Sequence, residues 1–197
     1  MERQNLIQSE LEKLSAESAA QRLIGSELIS ITSEGTCSGI IVETEAYDMN
    51  DPASHSFNGI TLRNAVMFGP SGIAYVYFTY GMHYCMNVVV GRSGVGAAVL
   101  IRAMEPLSGM PLMSKRRGRG NIAELLSGPA KLCQALAINK ELNGHNLEMP
   151  PLKLKLNPQL PDSEIIWTKR IGISAKRDQN RKWRACLKTS TFLSLPL

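Results

Sequence analysis

Apolar and polar residues alternate in the strand manner through Glu27-Leu28-Ile29-Ser30-Ile31 and again from Gly39 to Tyr47, most regularly over Val42 to Ala46, which is the period-two signature of strands. Ser33-Glu34-Gly35-Thr36 between them carries a glycine suited to a hairpin turn. Before this pair, Leu11, Leu14, Ala19, Leu23 and Ile24 form a partial helical stripe that ends at Gly25, and Ser9 and Glu12 have capping-box spacing. Residues 1–20 are therefore expected to be a helical lead-in. Residues 48–72, rich in Asp, Asn, Pro, Gly and Ser, read as one long loop of the kind that carries function. Strands are predicted over Ile73 to Thr79 and His83 to Val90, joined around Tyr80-Gly81-Met82, and over Gly96 to Ala103, with Arg102 at its end just before Glu105-Pro106. Lys115-Arg116-Arg117-Gly118-Arg119-Gly120 reads as a basic loop, able to touch phosphates or to be solvated. Ser127-Gly128-Pro129 starts a helix running to Ile138, because proline suits the first helical position, and Lys131 falls in its first turn. Residues 141–162 look like a loop with one short strand, and Ile165 to Ile173 and Trp183 to Leu195 complete the strand pattern.

The length, 197 residues, suits one domain spanning 1–197, since single cores usually run to roughly 100–200 residues. Charge adds a polarity along the chain. Up to Ile101 there are 5 bases against 10 acids, a net −5, whereas from Arg102 onward 17 bases face 7 acids, a net +10. Such asymmetry fits a polyanionic partner, nucleic acid or an anionic membrane surface, as well as a merely solvated basic face. The start, Met1-Glu2-Arg3-Gln4-Asn5, leads into a charged stretch without a signal-peptide core, and no window reaches the apolar length of a membrane span, so a cytoplasmic protein is expected. Cys37, Cys85, Cys133 and Cys186 lie far apart with no CxxC spacing, which indicates reduced, buried thiols and neither a zinc site nor a disulfide framework.

The chemistry-bearing residues concentrate in two places. On an extended strand Glu43, Glu45 and Tyr47 share one face while Val42, Thr44 and Ala46 share the other. Two carboxylates beside a phenol make a poor core face, and solvent exposure is the bland account of it. His55 follows in the polar loop, and Tyr75 and Tyr77 share a face on a neighbouring predicted strand, so acids, an imidazole and aromatic rings can converge. His83 and His145 read as turn or surface residues, and Met67, Met82 and Met86 as packing or rim residues.

Four stretches, Ile41 to Tyr47, Tyr75 to Asn87, Ile101 to Pro106 and Ser127 to Leu136, resemble in consistent order the alkyladenine (3-methyladenine) DNA glycosylase family. The likeness covers roughly residues 22 to 174 and thins toward the carboxyl end. It implies a mixed α+β single domain, a mostly antiparallel curved sheet flanked by helices, that excises alkylated or deaminated purines from duplex DNA by hydrolysing the N-glycosidic bond without a cofactor, metal or lyase step. On that resemblance Glu45 matches the general base and Arg102 the arginine that helps hold the attacking water, while Glu43, on the same strand face, is expected to act in support or in a salt bridge. Tyr47, His55 and Tyr77 match residues that enclose the flipped base, Asn87 the residue that crowds the exocyclic amine of guanine, and Tyr80 the residue that intercalates. Arg63 and Lys131 are candidate contacts to the DNA backbone.

The residue types suit that chemistry. A base inside a duplex must be extruded before it can be attacked. An aromatic wedge at a hairpin tip can occupy the vacated space. Electron-rich ring faces favour an alkylated, cationic purine by about 0.5–2 kcal/mol. Because such a purine is already a good leaving group, one carboxylate handling water can be sufficient. Damaged double-stranded DNA is the expected partner, bound by a monomer, with no membrane association. Two positions depart from the family: Leu62 stands where a proline is usual, and Lys182 onward keeps little of the closing strand, from which a backbone carbonyl near Leu193 would help hold the water. Three alternatives stay open: a non-catalytic nucleic-acid-binding module on the same fold, a metal hydrolase built on Glu43, Glu45 and His55, and a lyase, disfavoured because Lys13 is the only lysine before Lys115.

Overall fold

The computed structural model describes residues 6–197, so Met1 to Asn5, on which the expectation of a leaderless start rests, lie outside the described residues. Two helices, α1 (Leu6–Leu11) and α2 (Ala16–Leu23), precede the hairpin of β1 (Glu27–Thr32) and β2 (Gly35–Tyr47). The single expected helix is split because its cap is Ser15: extended at φ −67° and ψ 163°, its side chain accepts the Ser18 N–H at 3.1 Å. Ser9 sits inside α1, where its hydroxyl donates to the Leu6 carbonyl. A second hairpin pairs β3 (Ala74–Thr79) with β4 (His83–Val90), and β5 (Ala97–Ser108) returns beside β4.

The later elements are α3 (Met110–Arg117), α4 (Pro129–Ala135), β6 (Leu152–Lys155), β7 (Ile165–Thr168) and β8 (Arg184–Leu187). They complete a mixed α+β domain whose curved antiparallel sheet runs β3-β4-β5-β2-β1-β6, with β8 pairing the far end of β2 and β7 pairing β8. β5 is longer than the sequence indicates. Pro106 is accommodated beside Gly39 where the β2–β5 register shifts, and prolines are tolerated at bulges, so Arg102 lies mid-strand. Gly39 is required there, since a Cβ would approach the Glu105 carbonyl to 2.8 Å.

The first half of the basic run is helix, and only Gly118 to Gly120 leave it. Lys115, Arg116 and Arg117 form the last turn of α3, where cations complement the helix dipole, and Gly118 closes it at φ +63°. Arg116 donates to the Glu34 carboxylate, to Thr32 Oγ1 at 2.8 Å and to the Ala135 carbonyl at 3.1 Å, tying α3 to the first hairpin and α4. α4 starts at Pro129 as its sequence dictates but ends three residues early, ahead of left-handed Ala137 at φ 54°. β7 and β8 are likewise shorter than the apolar runs that foretell them.

Alternation divides the sheet into two faces. Ile41, Val76, Met86, Val88, Val99 and Ile101 pack into the main core, which also holds Leu23 of α2 and Leu132 of α4. Thr44 on that side donates to the Ala20 carbonyl of α2 at 2.9 Å. The opposite face carries a small cluster of Met67, Tyr75, Val89 and Ala98, joined by Tyr77, and the polar residues of the site. The four cysteines are free and buried. Among the described residues no helix is long and apolar enough to cross a membrane.

Candidate active site

The register of four adjacent strands lays one row across the second face: Tyr75 of β3 is opposite Asn87 of β4, Asn87 opposite Leu100 of β5, and Leu100 opposite Glu45 of β2. Beyond β2 the row continues to Arg184 of β8. Two register shifts sit beside it. Ile41 pairs with Met104 and Glu43 with Ala103, leaving Val42 as an extra residue on β2, whereas Thr44 pairs with Ile101, leaving Arg102 as an extra residue on β5. A bulge of this kind re-aims side chains, and here it turns Arg102 toward both acids.

Glu43 and Glu45 are fully buried, which overturns the solvated-face account. Their environments differ. Glu43 accepts from Arg102 Nε at 3.1 Å, Arg184 Nε at 2.7 Å, the Ser194 N–H at 2.6 Å and Ser194 Oγ at 2.7 Å. Its lone pairs are committed to structure. Glu45 accepts from the Tyr47 hydroxyl at 2.7 Å and the Ile171 N–H at 2.7 Å, with Arg102 Nη1 at 3.5 Å. Burial pushes its carboxyl above the ordinary 4.5, and Arg102, the Ile171 amide and Tyr47 pull back only part of that rise.

Tyr47, Arg102 and Ile171, the three partners of Glu45, line a cavity of about 460 Å³ that His55, Tyr75, Tyr77 and Asn87 also line. That size falls within the range of pockets for small organic groups, roughly 300–1,000 Å³. His55 Nδ1 is 2.9 Å from the Tyr75 hydroxyl, and the His55 ring meets the Tyr77 ring edge-on at 4.6 Å. Desolvation pushes the His55 pKa down, as do Arg63 and Arg177, so the ring is neutral at pH 7. Burial pushes Tyr75 up to about 12 and Tyr77 higher still, which keeps both phenols protonated. Asn87 is fixed by donating its side-chain amide to the Tyr75 carbonyl at 3.1 Å.

Tyr80 stands at the tip of the β3–β4 hairpin, on the cavity rim, and is largely exposed at 86%. It and Gly81 take left-handed conformations, φ 50° and 68°, and Met82 donates its N–H to the Thr79 carbonyl to close the turn. Arg63 lies 5.8 Å from the Tyr77 ring centre. Lys131 does not line the cavity; its ammonium donates to Ser127 Oγ at 3.1 Å, two residues from Pro129, which does.

A model of the methylpurine-DNA glycosylase family matches residues 10–191. The chain belongs to that family. A protein of Nitrosospira multiformis named "Putative 3-methyladenine DNA glycosylase" is 49% identical over 177 residues, 90% of this chain and 88% of its own. Relatives with the same name from Carboxydothermus hydrogenoformans and Francisella tularensis are 52% identical over 79% of this chain and 81% of theirs, and 45% identical over 89% and 92%. The family match extends to residue 191, past the point where the sequence motifs fade. β8 pairs with Glu43 to Glu45, and the segment after it folds back so that Ser194 bonds Glu43 and the Leu195 carbonyl accepts from Arg184 at 2.8 Å.

Several residues of this family member's site carry no sequence signal. Arg170 is buried and forms a two-point ion pair with buried Asp51, through Nη1 to Oδ2 and through Nη2 to Oδ1 at 2.9 Å. Its Nη1 also donates to the Ala46 carbonyl at 3.0 Å, and its guanidinium lies 4.6 Å from the centre of the Tyr47 ring. The next residue supplies the N–H that holds Glu45. Asp51 lies in a loop full of polar residues and Arg170 in a half full of cations, so neither stands out before folding joins them. Arg184 and Ser194 escape notice for the same reason.

Proposed function

We propose that this chain excises damaged purines, 3-methyladenine among them, from duplex DNA by extruding the nucleotide into the 460 Å³ cavity and hydrolysing its N-glycosidic bond with water activated by Glu45. The observation that carries this reading is Glu45 itself, a buried carboxylate held at both oxygens behind a wall of aromatic rings. Extrusion costs a few kcal/mol, least for a damaged base, which makes it the first selective step. Tyr47, His55 and Tyr77 then enclose the ring, and the cation–π preference of the tyrosines for an alkylated purine favours lesions over normal bases. A neutral His55 adds no repulsion to a cationic base. Asn87, locked by its bond to the Tyr75 carbonyl, crowds the position of guanine's exocyclic amine.

In the chemical step the water oxygen attacks the sugar carbon, its proton passes to Glu45, and the electron pair of the breaking C–N bond leaves with the purine, producing an abasic site. Burial supports this role twice over, because a raised pKa makes Glu45 a stronger base and a dry surrounding strengthens its interaction with the developing cationic sugar. Arg102 is shared by both acids, and the cations and hydroxyl that satisfy Glu43 leave Arg102 Nη1 to Glu45 and its water. No lysine lines the cavity among the described residues, which accords with hydrolysis by water and not through a Schiff base. The test is release of free base, followed by alkali-labile strand scission, from duplexes that each carry one lesion. Intact strands across a panel of alkylated and deaminated purines would refute the reading.

The raised Glu45 pKa has a pH consequence. Glu45 accepts a proton only when ionised, so single-turnover excision is expected to fall as pH drops through a value above 4.5, while lesion binding changes far less. An excision rate that stays flat down to pH 4.5 would remove Glu45 from the role of base. At the hairpin tip, Tyr80→Ala deletes the side chain proposed to fill the vacated stack. Since aromatic stacking on a base is worth about 1–3 kcal/mol, excision from duplex is expected to weaken by roughly ten- to a hundredfold, with excision from a single-stranded lesion preserved. Equal losses on both substrates would point to pocket damage instead.

A further inference from the structure

A second exposed apolar feature, opposite in character to the cavity, lies in the loop between His55 and Arg63. Leu62 is fully exposed at 104%, Ile60 is 65% exposed and Phe57 46%. The backbone that carries them is held firmly. Asn64, itself buried, donates to the His55 carbonyl at 2.7 Å and the Gly59 carbonyl at 2.9 Å, and accepts the Thr61 N–H at 2.6 Å. One asparagine thus pins both ends of the turn and forces Ile60 and Leu62 outward. A leucine wholly in water on a braced loop contributes nothing to the fold, and large apolar groups presented this way mark contact surfaces.

The place of this loop in the molecule specifies its partner. Its first residue, His55, is a wall of the cavity, and the residue after Leu62 is Arg63, whose guanidinium lies over the Tyr77 ring. The apolar tip therefore flanks the same mouth that Tyr80 flanks from the β3–β4 hairpin, with a cation beside it suited to phosphate. We propose that the 57–62 turn is a second wedge, in which Leu62 enters the duplex beside the extruded nucleotide and packs on the base step that Tyr80 does not cover. The proposal rests on the DNA-glycosylase reading for its partner, though not on the identity of the base. Apolar side chains are suited to this task because a partly unstacked base step exposes apolar faces that leucine can cover.

The test is equilibrium binding to a duplex with one abasic-site analogue, which holds the nucleotide gap open and requires no turnover. Leu62→Ala is expected to weaken that binding on the order of tenfold, and to weaken binding to the undamaged duplex far less. Its melting temperature should match wild type, because the side chain touches nothing in the free protein. Met149→Ala, which trims an exposed apolar side chain outside the cavity lining, is expected to leave binding unchanged. Wild-type affinity of Leu62→Ala for the abasic duplex would overturn the wedge, and so would an equal loss on both duplexes. Wild-type protein that binds the abasic duplex yet releases no base from any lesion would refute the excision reading and leave the wedge standing.

Discussion

Glu45→Gln is expected to lower base release by roughly 10²–10⁴-fold, the share a positioned general base supplies, while binding to lesion-containing duplex stays near wild type. Glutamine keeps the size and one acceptor oxygen of the side chain, so Tyr47 or Ile171 retains a partner, but it cannot take a proton from water. The informative control is Glu43→Gln. Glu43 receives Arg102, Arg184 and both donors of Ser194, and removing its charge leaves two buried guanidiniums under-compensated. Breaking a buried ion pair from one side typically costs about 3–5 kcal/mol, so the Glu43 variant is expected to melt well below wild type. Single-turnover kinetics with parallel thermal melts separate the two roles: a rate defect without instability at Glu45, and instability at Glu43. Retained turnover in Glu45→Gln would move the base to another residue.

The second large effect is expected at Asp51. Asp51→Ala strands Arg170, a side chain almost without solvent contact, and should cost about 3–5 kcal/mol by the same reasoning. It should also slow excision, because Arg170 stacks behind Tyr47 and precedes the Ile171 amide that holds Glu45. The double variant Asp51→Leu with Arg170→Met replaces the ion pair by apolar groups of similar bulk, a change that is often neutral for stability. Recovery of the melting temperature with a persistent rate defect is the expected outcome and identifies Arg170 as a positioning residue. Recovery of both would show that the pair serves the fold alone.

These two sites differ in how far the sequence exposes them. Glu45, Tyr47, Tyr75 and Tyr77 lie at strand spacing in runs whose alternation is legible, so their shared faces follow from the period of an extended chain. Arg102 belongs to a legible strand, but its reach to both acids depends on two offset bulges that no local pattern encodes. The basic run at Lys115 to Gly120 misleads because its glycines read as breaks, when one of them closes a helix and Arg116 is spent on Glu34. Ser9 misleads by its spacing to Glu12, while Ser15 has the extended backbone that a cap needs.

By itself the sequence determined the order of the strands, the hairpin that presents Tyr80, and the family to which its motifs point. Those depend on short-range periodicity and turn chemistry, which act over a few residues. Only the tertiary structure gave the two acids of that strand different partners. Glu43 is consumed by Arg184 and Ser194 from a chain segment about 150 residues away, and Glu45 is held by an amide 126 residues away. Carboxylates on one strand face are chemically alike until burial and distant donors make them different, and those donors arrive only when the chain closes on itself.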